Sequence, residues 1–274
     1  MIERIYIPTV RRADKQFTYE NLPASLQERV VMVIDPAERH LYRCPCQYLE
    51  LPDHIVGAWT QLAMTRKFIH QHAGTIKYAM IDDDLIIRKR NAILWSGISD
   101  MPTSRRDATP AEILRLFDTA SAWLDEEGIG IVGLSGTESH PGYKEYSDTT
   151  GVFNCLFLDG RMIAEVIDDA DTSIRVAEDV LFLFECLSRG INTRSATEFF
   201  TTNKSLGKEM RGRRPVWEGM FDQMPKDHFQ TAEHYDALRH IADRFPEGMK
   251  IFEKDGRMKN RKSWKKVYRC RVAD

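Results

Sequence analysis

The chain has 274 residues, 42% of them hydrophobic, enough for one α/β domain with a full core. A net charge of −2 argues against a protein wrapped in nucleic acid, and no stretch approaches the ~18 apolar residues of a membrane span. Met1-Ile2-Glu3-Arg4 carries no apolar run behind a basic start, and the five scattered cysteines form no disulfide framework, so a soluble cytoplasmic protein without membrane partners is expected.

In chain order, Arg4-Ile5-Tyr6-Ile7-Pro8 reads as a first strand that stops at proline and opens into the basic loop Thr9-Val10-Arg11-Arg12. The apolar run Val30 to Ile34, bounded by Asp35-Pro36, predicts a strand covered on both faces. Cys44-Pro45-Cys46 lacks the spacing and the second half of a zinc site and reads as loop. A helix is predicted from Asp53, as its cap, to His72, with Ile55, Trp59, Leu62, Ala63 and Ile69 on one face. Tyr78 to Ile81 is another buried strand, ending at Asp82-Asp83-Asp84. The succession β, β, α, β opens a doubly wound sheet.

Further along, Thr109 caps a predicted helix from Pro110 to Glu127, followed by strands over 128–134 and 151–158. A helix is expected from Ile174 to Arg189, stopped by Gly190, and a late strand within 192–201. Residues 96–109, 135–150 and 203–215 read as polar loops. The expected architecture is a Rossmann-type mixed sheet flanked by helices, one domain with loop insertions. Residues 1–95 form its nucleotide-binding half, 96–245 its acceptor half, and 246–274 a basic C-terminal segment. Between Lys250 and Arg271, ten Lys or Arg stand against Glu253 and Asp255, a charge of +8 against −10 elsewhere, compatible either with a phosphate-rich partner or with a solvated tail.

Three adjacent carboxylates after a buried strand repel one another and invite a cation, and open α/β sheets bind ligands at that end. Hard divalent ions such as Mg²⁺ and Mn²⁺ take one or two carboxylates and complete their shell with phosphate oxygens and water. Strand alternation would aim Asp82 and Asp84 one way and Asp83 another. Glu178-Asp179 falls at the border of the buried stripe Val176, Val180, Leu183, Phe184 and Leu187. Burial there would raise the basicity of Asp179 towards that of a general base, while an acidic first turn is also ordinary compensation of the helix dipole.

Ile5 to Thr9 with Arg11, then Thr65-Arg66-Lys67, Ile81 to Leu85 and Ala177-Glu178-Asp179 resemble the ordered landmarks of GT-A glycosyltransferases. More narrowly they resemble the TET-associated glycosyltransferases of bacteriophages, which attach sugar to 5-hydroxymethylcytosine in phage DNA. The resemblance spans roughly residues 1–200 and implies a nucleotide-diphosphate sugar, UDP-sugar first, as donor, with Mn²⁺ or Mg²⁺. It implies that Pro8, Thr9 and Arg11 line the nucleotide pocket, with Asp35 near base or ribose and Arg66 facing the nucleotide. Asp82 and Asp83 are then expected on the donor, Asp82 and Asp84 on the metal, and Asp179, beside Glu178, as the base of an inverting transfer. DNA containing 5-hydroxymethylcytosine is the implied acceptor, in the host cytoplasm for a phage protein.

Lys208, Arg211, Arg213 and Arg214, with Lys262, Lys265 and Lys266 in the tail, are the candidate nucleic-acid contacts. His228 and His234 are candidate metal ligands or bystanders, and Trp217, Trp264 and Tyr268 candidate base-stacking or packing residues. A glycosyltransferase acting on a glycan, protein or small molecule shares the donor motifs. A nucleotidyltransferase would need a glycine-rich phosphate loop that the first strand lacks, and a non-enzymatic DNA-binding module conflicts with three clustered aspartates.

Overall fold

The computed structural model describes residues 1–90, 105–135, 145–203, 232–254 and 257–272. The first half runs β1 (Arg4–Pro8), α1 (Phe17–Asn21), α2 (Ala24–Gln27), β2 (Val30–Ile34), a 3₁₀ turn (Pro36–Leu41), β3 (Gln47–Glu50), α3 (Gln61–Ala73), β4 (Lys77–Ile81) and β5 (Leu85–Arg90). It continues with β6 (Arg105–Asp107), α4 (Pro110–Trp123), β7 (Ile129–Ser135), β8 (Tyr146–Asp148), β9 (Cys155–Asp159), α5 (Gly160–Asp168), α6 (Glu178–Ser188) and β10 (Asn192–Asn203). Last come α7 (Ala232–Arg244), the hairpin β11 (Met249–Lys254) and β12 (Arg257–Lys262), and α8 (Trp264–Val272).

One mixed sheet carries the strand order β3-β2-β1-β4-β9-β7-β10-β5-β6, with β8 on β10. Its first four strands are parallel, and β9 runs antiparallel between β4 and β7. Alternate residues of the buried strands serve opposite faces, as the two-residue pleat requires. Ile5, Ile7, Met32 and Ile81 enter one core with α4, while Tyr6, Val31, Val33 and Met80 enter another with α3 and α5. A third cluster joins α7, β11 and α8 to α6 through Leu238, Ile241, Met249, Val267 and Phe184. Among the described residues, no helix is long and apolar enough to cross a membrane. Cys44, Cys46, Cys155 and Cys186 are free thiols, the first two in a loop.

The predicted strands β1, β2, β4 and β7 form where expected, and α4 begins at a capping box in which Thr109 Oγ1 accepts from Glu112 N and Glu112 reaches back to Thr109 N. Three other elements start late, each behind a residue in left-handed backbone. Gly57 (φ 71°) breaks the segment predicted to be helical from Asp53, so Asp53 caps nothing, α3 starts at Gln61, and Trp59 is 66% exposed. Asn154 (φ 64°) delays β9 to Cys155, and Ala177 (φ 61°) delays α6 to Glu178.

Candidate active site

Asp82-Asp83-Asp84 is the turn between β4 and β5, not an extended segment. Thr18 pins it: its Oγ1 donates to Asp82 O (2.5 Å) and accepts from Leu85 N (2.9 Å), while its own N–H donates to Asp83 O (3.0 Å). Asn154, held left-handed, accepts from Asp82 N (2.9 Å). Strand alternation therefore does not apply, which corrects the expectation that Asp82 and Asp84 point together away from Asp83. Arg12 gathers Asp83 and Asp84 on one Nη1, at 2.7 and 3.3 Å. Asn203, brought alongside by the pairing of β10 with β5, donates from Nδ2 to both oxygens of Asp84 at 3.2 Å. Asp82 turns instead towards Arg66 of α3, whose Nη2 lies 3.7 Å away.

The turn forms one wall of a cavity of about 470 Å³. Pro8, Thr9, Val10 and Arg12 from the end of β1 line it, with Arg66, with Arg175 to Asp179 at the start of α6, with His234 and Leu238 of α7, and with Lys262 of β12. Arg66 spans it, its Nη1 3.2 Å from Glu178 Oε1. Burial pushes Asp82 up to about 7 against the pull of Arg66, although 32% of its side chain stays accessible, and neighbouring Asp84 and Asp83 add to the rise. Burial likewise raises Glu178 to about 7, opposed by Arg66 and reinforced by Asp179. Asp179, half-buried on the same cavity, accepts from Val180 N at 2.7 Å. Glu178 and Asp179 both line the cavity from the start of α6.

Two expected donor residues lie elsewhere. Arg11 sits in left-handed backbone (φ 56°) with its N–H on Glu38 Oε2 (2.7 Å), and the adjacent Arg12 enters the cavity in its place. Asp35 caps the 3₁₀ turn by accepting from Ala37 N (2.9 Å) and does not line the cavity. Lys262, expected on DNA, lines the cavity, while Lys265 and Lys266 are exposed on α8. Trp264 packs on Phe184, ring centroids 4.6 Å apart, and Tyr268 joins the same cluster, so both are packing residues. Lys208, Arg211, Arg213, Arg214, Trp217 and His228 lie outside the described residues. Sequence reasoning missed Thr18, Arg12 and Asn203; for Arg12 the only signal was its place one residue after Arg11 in a basic loop.

The mixed sheet opens a cavity at the carboxyl ends of β1 and β4, the end at which α/β sheets bind ligands. Residues 3–212 match the TET-Associated Glycosyltransferase family, and the chain belongs to it. No curated protein matches the chain. Among solved structures it is similar to TarS 1-349 of S. aureus in complex with UDP-GlcNAc, at 13% identity and a TM-score of 0.46, over 89% of this chain and 66% of that one. The same TarS segment in a second structure gives 12% and 0.45, over 89% and 65%, so the chain spans about two thirds of its length. The glycosyltransferase GlyE of Streptococcus pneumoniae TIGR4 gives 11% and 0.34, over 62% of this chain and 37% of that one. The glycosyltransferase class rests on the family match, not on these distant likenesses.

Proposed function

We propose that the chain moves a sugar from a nucleoside diphosphate sugar to the hydroxymethyl oxygen of 5-hydroxymethylcytosine in DNA, with inversion and with a divalent cation. The observation that carries the reading is one cavity in which the acidic turn Asp82 to Asp84 shares space with Asp179 at the start of α6. The family's name suggests the DNA acceptor, and exposed Lys265 and Lys266 offer phosphate contacts that support it.

In the transfer, the bond from the anomeric carbon to the diphosphate oxygen breaks and its electron pair leaves with the diphosphate. The hydroxymethyl oxygen bonds to the anomeric carbon from the opposite face, and its proton passes to Asp179. A hydroxyl is a poor nucleophile until that proton is removed. Arg66 pairs with Glu178 and with Asp82, while Asp179 lines the same cavity beside them.

The residues present fit a hard divalent ion. Asp82 and Asp84 offer oxygen donors only, and the fold resists ionising Asp82 when no further positive charge is present. No group of three His, Cys, Asp or Glu side chains able to hold a metal occurs among the described residues, and Asp82 and Asp84 face different partners, so the two would have to turn towards one another to hold the ion, with donor oxygens completing its shell. Bound there, it supplies positive charge to the departing diphosphate.

Hydroxymethylated duplex DNA, Mn²⁺ and a panel of nucleotide-sugars beginning with UDP-glucose and UDP-GlcNAc test the reading. Nucleoside mass spectrometry should show hydroxymethyldeoxycytidine gaining one sugar mass. Nucleotide release with unmodified DNA across the whole panel would instead favour a glycan, protein or small-molecule acceptor.

A further inference from the structure

The family match ends at residue 212, yet the cavity does not close without residues beyond it. His234, Leu238 and Lys262 complete its wall from α7 and β12. These elements are seated firmly on α6, the helix that begins with Glu178-Asp179. Trp264 packs against Phe184 with the two rings tilted, and approaches Gly151 so closely that a Cβ there would lie 2.7 Å from its ring. A Cβ on Gly248 would meet Val267 at 2.2 Å, and Ser263 N, next to Lys262, donates to Gly248 O at 2.7 Å. The position of Lys262 is therefore fixed by packing rather than by a free tail.

The cavity's cations differ in what they already hold. Arg12 is engaged by Asp83 and Asp84, Arg66 by Asp82 and Glu178, and the Arg175 guanidinium lies 4.1 Å over the Trp59 ring. Lys262 makes no ion pair within 4 Å among the described residues; its electrostatic partner is Asp179 across the space. Its ammonium is accessible from the cavity, yet partial burial lowers its pKa, with Asp179 opposing. A cation held without a contacting anion, in a cavity otherwise rich in carboxylates, is a site for an incoming anion.

We propose that Lys262, delivered by the C-terminal hairpin, binds the diphosphate of the donor and holds it as it leaves the anomeric carbon. The role rests on the nucleotide-sugar reading but not on the DNA acceptor. As the carbon–oxygen bond breaks, the electron pair and its charge stay on the diphosphate oxygen that the ammonium faces, and no proton need move from Lys262. The basic C-terminal segment thus has two parts: Lys262 for the donor, and the exposed face of α8 for other partners.

Calorimetry of the full chain with inorganic pyrophosphate, UDP and uridine, in Mn²⁺, tests this for wild type, Lys262→Met and Lys262→Arg. A charge-assisted contact of this kind corresponds to roughly tenfold to hundredfold in affinity. Lys262→Met should lose that factor for pyrophosphate and UDP with uridine unchanged, and Lys262→Arg should recover most of it. A general structural defect would weaken uridine as well. Equal pyrophosphate and UDP affinity in Lys262→Met and wild type would overturn the assignment. Loss of pyrophosphate binding in Lys262→Met, in a protein that takes up no UDP, would uphold it and count only against uridine as the donor base.

Discussion

Arg66 reaches from α3 across the cavity to place Nη1 3.2 Å from Oε1 of Glu178, the first residue of α6. The pair is not enough to offset burial, since Glu178 remains raised from 4.5 to about 7. A carboxyl raised on folding binds more protons in the native state than in the unfolded one. Its contribution to stability is complete below about 4.5 and is lost as pH rises through about 7. Glu178→Gln, which mimics the protonated form, should match wild type near pH 4 and melt above it near pH 8, by a few degrees. Thermal melts across that range check it; a wild type more stable than the variant at pH 8 would show that Arg66 dominates instead.

What the sequence disclosed and what it hid divide along physical lines. Val30 to Ile34 and Tyr78 to Ile81 are continuous apolar runs with defined ends, so both strands, and with them the place of the three aspartates but not their turn, were legible. So was α4, because the Thr109 and Glu112 box leaves a local signature. Left-handed backbone at non-glycine residues leaves none. Ala177 and Asn154 shifted the starts of α6 and β9, and Arg11 gave up the cavity to Arg12 for the same reason. β12, with the sequence RMKNRK, carries no apolar alternation, so its pairing with β11 and the arrival of Lys262 at the cavity were hidden in a run of charge.

The proposed metal dependence rests on the oxygen donors Asp82 and Asp84. Binding a cation there must displace the proton that burial favours on Asp82, so stabilisation by Mn²⁺ should grow from pH 6 to pH 8. Asp84→Ala should remove most of that Mn²⁺-induced shift and weaken UDP binding in Mn²⁺; its metal-free melting temperature should fall as well, because Arg12 and Asn203 lose a buried partner, so the shift on adding Mn²⁺ is the quantity compared. Full transfer by Asp84→Ala in the presence of a chelator would rule out the cation's role.

The proposed contact with DNA falls on the exposed lysines of α8. Each phosphate neutralised releases about one counterion, so affinity for hydroxymethylated duplex should fall steeply with salt. Reversing Lys265 and Lys266 to Glu should lower the magnitude of the log–log salt slope by about 2 and raise the Michaelis constant for DNA while leaving that for the donor unchanged. An affinity that does not vary between low and high salt contradicts a DNA acceptor.

The proposed base is Asp179, which lines the cavity together with the acidic turn, while its neighbour Glu178 pairs with Arg66. Removing a general base costs on the order of 10² to 10⁴ in rate. Asp179→Asn keeps the shape and the acceptor oxygen for Val180 N, and takes away the proton acceptor. The most direct test is single-turnover sugar transfer to hydroxymethylated DNA by wild type and Asp179→Asn, run beside calorimetric affinity for the donor. The expected result is unchanged donor affinity with transfer slowed by at least about a hundredfold. Transfer by Asp179→Asn within about threefold of wild type would place the base elsewhere and contradict an inverting transfer driven by Asp179.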